Sequence, residues 1–445
     1  MTRWWCEHAV LPGGTRHGVT IATDGDRITS VTPDTRRPPD AAALWGVTIP
    51  GLANSHSHAF HRALRSRTQA GTGSFWTWRD VMYEAAARLD PDRYHRLAGA
   101  VFAEMALAGQ TTVGEFHYVH HQPDGTPYDN PNAMGEALLA AATEAGIRIT
   151  LLDTIYLHGG LASDGYVVAS GAQRRYRDAD VDAWAERTSA LPTATDQRIG
   201  AAIHSVRAVD PESMATVVAW CDDHDAPLHA HVSEQVAENG ACLDHFGRTP
   251  TALLADAGAL GPRFSAVHAT HLTDADIAAL GSSGSTVCLC PTTERDLGDG
   301  IGPSAELVDA GVALHLGSDS HAVIDHFEEA RAVELNERLR SRQRGAHQVE
   351  ALLAMATVNG HRALGWADAG ELVAGQRADL VTVRLDTVRA AGAPTELAAA
   401  TLVFASTAAD ITSVISGGRP IVTDGHHHTL DTAAALAASI KELFA

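Results

Sequence analysis

Histidines cluster near the start of the chain, in the stretch PGLANSHSHAFHRAL at residues 50–64. His56, His58 and His61 fall within six consecutive positions there. On a β-strand, residues two apart point to the same face, so the side chains of His56 and His58 aim at one point. Imidazole nitrogen is a good zinc ligand. The spacing therefore predicts a metal site, and the alternative is a histidine pair that satisfies loop hydrogen bonds.

A second same-face pair, His229 and His231, lies in PLHAHVSEQ. His231 is the candidate ligand, whereas His229 is predicted to support it or to lie in the core. Glu234 follows three residues after His231, where a turn would bring its carboxylate back over the site as a proton shuttle. The alternative is a surface glutamate that starts a helix and favours its dipole.

Two further stretches end in groups that can carry protons or bind a metal. In AVHATHL, His268 is predicted at a strand end, and His271 is as consistent with a capping or surface role. In LHLGSDSH, Asp319 could bind a metal and accept a proton from water, or it could simply cap a helix. Gly317 and Ser318 precede it and allow the backbone to approach closely.

Three other stretches carry charged, polar or aromatic groups that could line the mouth of the site. AAIHSVRAVDP contains His204 and Arg207, and the guanidinium fork suits a carboxylate, although a salt bridge on the outer rim is the alternative. The aromatic-rich FWTWRD carries Arg79 in a segment that is either a lid over the site or a core contact. GEFHYVHH places Tyr118 among several polar groups, and spacing does not say which of them points inward.

Eight short apolar runs, separated by Ala- and Leu-rich helical segments, must position these residues. Alternating strands and helices in this number predict a (β/α)8 TIM-type barrel, in which the carboxyl ends of all strands converge on one mouth. Nearly every run ends in a polar or reactive residue: His56, His58, Glu115, His117, Asp153, His204, His231, His268, Cys290 and Asp319.

Both ends of the chain show strand–turn–strand patterns instead, such as HGVTIATDGDRITSV and ITSVISGGRPIVTDG. We expect residues 1–48 and 369–445 to form one small β-sandwich domain and residues 49–368 to form the barrel. The tail beginning at Asp431, the predicted N-cap, has a helical period.

Composition limits the partners. The formal net charge of −21 disfavours nucleic acid, although local arginines can still bind a small anion. The five cysteines form no CxxC pattern and are predicted to be reduced thiols, with the CLC pair in a buried strand. No signal peptide and no apolar window of 18 uncharged residues is present, so we expect a cytoplasmic protein without a membrane span.

PGLANSHSH, HAHVSE, VHATHL and LGSDS, in that order, resemble the amidohydrolase superfamily and its one-zinc aminohydrolase branch. GELVAGQRADLVTV is similar to that superfamily's return to its β-sandwich. SFWTWRDVMY, VGEFHYVHH and CPTTERDLGDGI more specifically resemble the formimidoylglutamate deiminases of histidine degradation. The resemblance implies hydrolysis of N-formimino-L-glutamate to N-formyl-L-glutamate and ammonia. None of the eight runs ends in the lysine that two-metal relatives need, which favours one zinc.

The resemblance also implies roles for individual residues. The chain departs from the family pattern at His61, where the family has glutamine, so His61 is predicted to line the substrate pocket instead of binding metal. The resemblance implies a homodimer. A ring-directed aminohydrolase acting on guanine or a pterin, and an inactive scaffold barrel, are the competing interpretations. The implied roles are zinc ligation by His56, His58, His231 and Asp319, proton transfer by Glu234, His268 and Asp319, and binding of the dicarboxylate by His61, Arg79, Tyr118, His204 and Arg207.

Overall fold

A computed structural model describes residues 1–70, 73 and 75–445, without the side chains of Phe75 and Trp76. The predicted aromatic wall at those two positions therefore lies outside the described side chains. The described strands are β1 Thr2–Leu11, β2 Gly14–Asp24, β3 Arg27–Thr32, β4 Ala42–Pro50, β5 Leu52–Ser57, β6 Gln110–His117, β7 Arg148–Ile155, β8 Gly160–Ala162, β9 Gly165–Val167, β10 Gln197–Ile203, β11 Leu228–Val232, β12 Phe264–His268, β13 Thr286–Leu289, β14 Ala313–Leu316, β15 Leu380–Val383, β16 Ile411–Ser416, β17 Arg419–Thr423 and β18 His426–His427.

The α-helices surround these strands, and short 3-10 helices follow β5 and lie in the loop after β7. The described α-helices are α1 Phe75–Ala87, α2 Pro91–Leu107, α3 Ala133–Ala145, α4 Val181–Ser189, α5 Pro211–His224, α6 Val236–Phe246, α7 Pro250–Asp256, α8 Asp274–Ser283, α9 Pro291–Leu297, α10 Ser304–Asp309, α11 His326–Ser341, α12 Val349–Ala356, α13 Val358–Ala363, α14 Ala398–Phe404 and α15 Thr432–Leu443.

Local sequence explains where several outer helices begin. An aspartate followed by proline starts both α2 and α5: the Asp90 carboxylate accepts from the Arg93 amide at 2.8 Å, and the Asp210 carboxylate accepts from the Ser213 amide at 3.0 Å. These caps satisfy amide groups that have no partner inside the helix, and proline fits the first helical position. The predicted cap Asp431 likewise accepts from the Ala434 amide at 3.2 Å.

A parallel sheet of eight strands, β5, β6, β7 and β10 to β14, forms the centre of the molecule. The two edge strands meet across a seam between the end of β5 and the segment after β14. There the Asp319 amide donates to the His56 carbonyl at 3.0 Å, and the His58 amide donates to the Asp319 carbonyl at 3.3 Å. The eight predicted runs supply these eight strands, and the predicted (β/α)8 barrel is confirmed.

Eight further strands, from both ends of the chain, form a second sheet in the order β18, β17, β16, β15, β4, β1, β2, β3, and the short β8 and β9 pair with each other. This confirms a small β domain beside the barrel. A buried ion pair joins the two parts: Arg148 on β7 donates through Nη1 to Asp379 Oδ1 at 3.0 Å. All five cysteines are buried and unpaired. None of the helices in the described part of the chain has the length and apolar character needed to span a membrane.

Candidate active site

At the carboxyl ends of three barrel strands, a residue other than glycine has a positive φ angle. Ser233 after β11, His268 at the end of β12 and Asp319 after β14 have φ angles of 51°, 67° and 43°. Residues other than glycine rarely adopt this left-handed conformation, and such strain concentrates at functional sites. The turns redirect the chain immediately after each strand, so the side chains around them face a common mouth.

Four buried side chains converge at this mouth: His56, His58, His231 and Asp319 each bring one ligand atom within 4.8 Å of the others. His56 Nε2 lies 3.2 Å from His231 Nε2 and 3.2 Å from Asp319 Oδ1, and His58 Nε2 lies 3.3 Å from the same oxygen. A tetrahedral zinc with ligand distances of about 2.0–2.1 Å separates neighbouring ligand atoms by about 3.3–3.4 Å. The donor set and its spacing therefore fit one zinc ion.

Backbone carbonyls hold two of these imidazoles in the required tautomer. His58 Nδ1 donates to the Phe116 carbonyl at 2.9 Å, and His231 Nδ1 donates to the His204 carbonyl at 2.8 Å. Each Nε2 then presents a lone pair to the centre of the cluster. Burial lowers the pKa of His58 to about 3 and lowers the pKa of His231 well below its usual range. Both rings are neutral at physiological pH, as metal ligation requires.

Gly317 lets the two sides of the seam approach. A Cβ at position 317 would lie 2.6 Å from the Cβ of His56 and 3.0 Å from Cys290 Sγ. Only glycine leaves room for β5 and the end of β14 to lie this close, and that closeness brings Asp319 to His56.

The chain's only lysine is Lys441, an exposed residue of α15 near the end of the chain. No lysine therefore lies on any barrel strand. The barrel therefore lacks the strand-end lysine that would bridge two metal ions.

The candidate proton carriers surround the cluster. His268 Nε2 lies 3.9 Å from Asp319 Oδ2, and His268 Nδ1 lies 3.6 Å from Glu294 Oε1. Burial lowers the pKa of His268, but Glu234, Glu294 and Asp319 raise it by more, to about 10. Glu234 is buried at the start of the loop after β11. An imidazolium and a carboxyl group thus lie on the same side of the cluster, where they can exchange protons with a reacting molecule.

A cavity opens above the cluster, and every residue that the sequence predicted to bind substrate lines it. The structure brings these side chains together, while their roles stay predictions. The lining includes His58, His231 and Asp319 from the cluster, Glu234 and His268 beside it, and the predicted contacts His61, Arg79, Tyr118, His204 and Arg207.

His61 lies in the 3-10 helix Ala59–Leu64, which follows directly after His58; His56 is on β5, and His58 is one residue past the end of that strand. Its Nε2 is 2.9 Å from the Tyr118 hydroxyl, and its ring centre is 4.6 Å from that of His58. None of the four converging ligand atoms belongs to His61. This geometry supports the division of the first three histidines into two metal ligands and one pocket residue.

Arg207 was predicted either to bind a substrate carboxylate or to form a salt bridge on the outer rim. It forms ion pairs with acidic side chains and also lines the cavity. Its Nε donates to Glu238 Oε1 at 3.3 Å, and its Nη2 lies 3.9 Å from Glu234 Oε2. The side chain is only 21% exposed, which excludes a freely solvated rim position. The acidic partners fix the direction of a guanidinium that faces the cavity.

Several of the predicted strand-end residues do not line the cavity, among them Asp153 and Glu115. Asp153 points away from it and accepts from Arg187 through two bonds of 2.8 Å and from Trp184 Nε1 at 3.1 Å. Glu115 accepts from the Ala59 amide at 2.7 Å and from the Ser57 hydroxyl, on either side of His58. Both residues brace the strand ends: Asp153 through side chains of α4, and Glu115 through groups on either side of His58.

The cavity also contains residues that sequence reasoning missed. They come from α1 and from the loop between β7 and α4, where no strand or helix period marks the inward positions. Glu294 was within the quoted stretch CPTTERDLGDGI, yet spacing gave it no role. Among the missed lining residues, those of α1 and this loop with large side chains are Met82, Tyr83, Tyr156, Gln173 and Tyr176.

Comparisons with known proteins agree with this geometry. Residues 47–421 match the amidohydrolase family. A formimidoylglutamate deiminase from Pseudomonas aeruginosa is 36% identical over 441 residues, covering 96% of each chain. An 8-oxoguanine deaminase from the same organism is 31% identical over 403 residues, covering 88% of this chain and 85% of that protein.

Two solved structures share the fold. An amidohydrolase from Brucella melitensis superposes with a TM-score of 0.91 at 32% identity, covering 100% of both chains. An adenosine deaminase from Xanthomonas campestris with bound zinc has a TM-score of 0.84 at 23% identity, covering 99% of this chain and 97% of that one.

Proposed function

Because this chain belongs to the amidohydrolase family and is a hydrolase of C–N bonds, we propose that it deiminates N-formimino-L-glutamate with one zinc ion per chain. Water adds to the formimidoyl carbon, the bond from that carbon to the imino nitrogen breaks, and the products are N-formyl-L-glutamate and ammonia. The two P. aeruginosa relatives act on different compounds by their names. The choice of substrate therefore rests on the cavity.

The zinc would be held by His56, His58, His231 and Asp319, whose ligand atoms have the spacing of a tetrahedral site. When bound, zinc supplies a Lewis acid and lowers the pKa of a bound water to about 7. The fixed ring orientations of His58 and His231 support this assignment.

The chain's own residues move the protons. Asp319 Oδ2, with His268 3.9 Å away, accepts the proton that the attacking water loses. The Glu234 carboxyl group donates a proton to the imino nitrogen as the water oxygen bonds to carbon. Asp319 then passes the proton it took from the water to the same nitrogen, the carbon–nitrogen bond breaks and ammonia leaves. The hydroxyl proton of the adduct returns to Glu234 as the formyl C=O forms.

The observation that carries the proposal is the set of donors facing the cluster. Arg79 and Arg207 bring two guanidinium groups to a cavity that also presents the His61–Tyr118 pair. N-formimino-L-glutamate carries two carboxylates, which match such donors, whereas a purine ring carries none. Holding both carboxylates places the formimidoyl carbon beside the cluster.

A ring-directed aminohydrolase is the second candidate, favoured by the 31% identical 8-oxoguanine deaminase and by the aromatic lining from Trp78, Tyr118, Tyr156 and Tyr176. Ammonia release from N-formimino-L-glutamate, guanine and 8-oxoguanine at equal concentrations separates the two. We expect kcat/KM to favour N-formimino-L-glutamate by about 10⁴-fold, because buried donors reject a ligand that cannot pair with them. Faster release from either purine would refute the proposed substrate. The homodimer and the cytoplasmic location stay predictions.

A further inference from the structure

One wall of the cavity contains a tyrosine and a glutamine that the proposed mechanism does not use. Tyr156 directly follows β7, and Gln173 lies in the 3-10 helix Gly171–Arg175 of the next loop. Both line the cavity together with Arg207. Their exposures of 5% and 7% show that both are built into the site and do not belong to its outer surface.

The hydrogen bonds of Gln173 fix the direction of the Tyr156 hydroxyl. Gln173 Nε2 donates to Tyr156 Oη at 2.8 Å and to the Gly159 carbonyl at 2.8 Å, which uses both amide hydrogens. Gln173 Oε1 accepts from the Ser170 amide at 3.3 Å, so the amide cannot rotate without losing bonds.

The Tyr156 oxygen thus accepts a hydrogen bond, and its own proton remains to be donated. Within the part of the chain that the structure describes, no acceptor for that proton is seen. Burial raises the pKa of Tyr156, so the hydroxyl keeps its proton at neutral pH. The wall therefore presents one oriented hydroxyl donor to whatever occupies the cavity.

Ring contacts place this donor away from the metal-ligand candidates. The Tyr156 ring centre lies 4.7 Å from that of His204, which in turn lies 5.2 Å from that of His231. His61, in contrast, contacts His58 directly with ring centres 4.6 Å apart. In N-formimino-L-glutamate one carboxylate is close to the reacting carbon and the other is two methylene groups further along. The more distant position of Tyr156 matches the second carboxylate.

We propose that Tyr156 donates a hydrogen bond to the carboxylate farther from the reacting carbon, beside Arg207, and that Gln173 is a positioning residue for this hydroxyl. The assignment rests on the proposed function and deepens it, because it gives the cavity a means of selecting linear dicarboxylates. Tyr156 is then a determinant of substrate specificity, and Gln173 affects specificity by orienting the Tyr156 hydroxyl.

The test compares two substrates: N-formimino-L-glutamate and N-formimino-L-2-aminobutyrate, whose ethyl side chain lacks the distal carboxylate. In Tyr156→Phe, kcat/KM for the glutamate derivative should fall about 10- to 100-fold, mainly through KM, as expected for a lost hydrogen bond to a charged group. The value for the aminobutyrate derivative should change by less than about two-fold. Zinc content should equal that of the unmodified protein.

Gln173→Leu should also lower kcat/KM for the glutamate derivative, and its effect should be smaller in the Tyr156→Phe background, because part of that effect passes through the Tyr156 hydroxyl. Tyr94→Phe is the matched control, since Tyr94 is a buried tyrosine of α2 outside the cavity lining. It should leave both substrates unaffected.

Equal losses for both substrates, or an unchanged KM in Tyr156→Phe, would overturn the assignment while the unmodified protein still deiminates N-formimino-L-glutamate. Additive effects of the two substitutions would overturn the positioning role of Gln173. If the unmodified protein releases no ammonia from N-formimino-L-glutamate, the proposed function itself is wrong.

Discussion

Replacing Gly317 with alanine tests whether the seam of the barrel sets the geometry of the metal-ligand cluster. The new Cβ would lie 2.6 Å from His56 Cβ and 3.0 Å from the His56 carbonyl oxygen. Carbon atoms normally approach to about 3.5–4.0 Å, so the seam must open by roughly 1 Å. The His56 backbone cannot move alone, because its carbonyl accepts from the Asp319 amide at 3.0 Å. The shift therefore strains the backbone contact that sets the distance between two of the four ligand residues, His56 and Asp319.

Overpacking of this kind costs about 1–3 kcal/mol, which corresponds to zinc binding weakened about 5- to 150-fold if the strain falls on the metal-bound geometry. Competition with a chromophoric zinc chelator measures the dissociation constant, and circular dichroism checks that the fold is retained. Gly99→Ala in α2 is the control, because a Cβ there meets no atom within 4 Å and alanine favours the helix. Unchanged zinc affinity in Gly317→Ala would refute the reasoning.

Three other substitutions probe separate parts of the site. Glu234→Gln should keep its zinc and lower kcat about 10²- to 10⁴-fold, the usual contribution of a general acid; turnover at the unmodified rate excludes that role. His61→Gln should keep zinc content and change KM, so loss of zinc would show that the three histidines were divided wrongly. Burial raises the pKa of Glu115 from 4.5 to about 8, so its stabilising contribution is complete below pH 4.5 and is lost as the pH rises through 8. Urea unfolding should therefore show the protein losing stability relative to Glu115→Gln across that range, and parallel pH profiles would contradict the assignment.

The period of the β-strand explains why much of the site could be predicted. Residues two apart share a face, which relates His56 to His58 and His229 to His231. The same period places His229 one step deeper in the barrel, where its Nε2 meets the Ala363 carbonyl at 3.3 Å. Asp319 was predictable because it follows a strand that must close the barrel against the first one.

The limits of the prediction have physical causes as well. A polar residue at a strand end predicts which end of the barrel holds the site, but it does not predict whether the side chain points into the barrel or toward the outer helices. Asp153 points outward because Arg187 on α4 donates hydrogen bonds to it. The hydrogen bond between Gln173 and Tyr156 forms because the loop after β7 folds back on itself, so no regular spacing in the sequence predicts it. The cavity floor follows from strand geometry, whereas its walls depend on loops.

The central claim is that one zinc ion, held by His56, His58, His231 and Asp319, performs deimination of N-formimino-L-glutamate. Titration of metal-free protein with zinc, with ammonia release as the signal, tests it most directly. Activity should rise linearly and reach its maximum at one zinc per chain. Full activity without metal, or a maximum at two zinc ions per chain, would contradict the account.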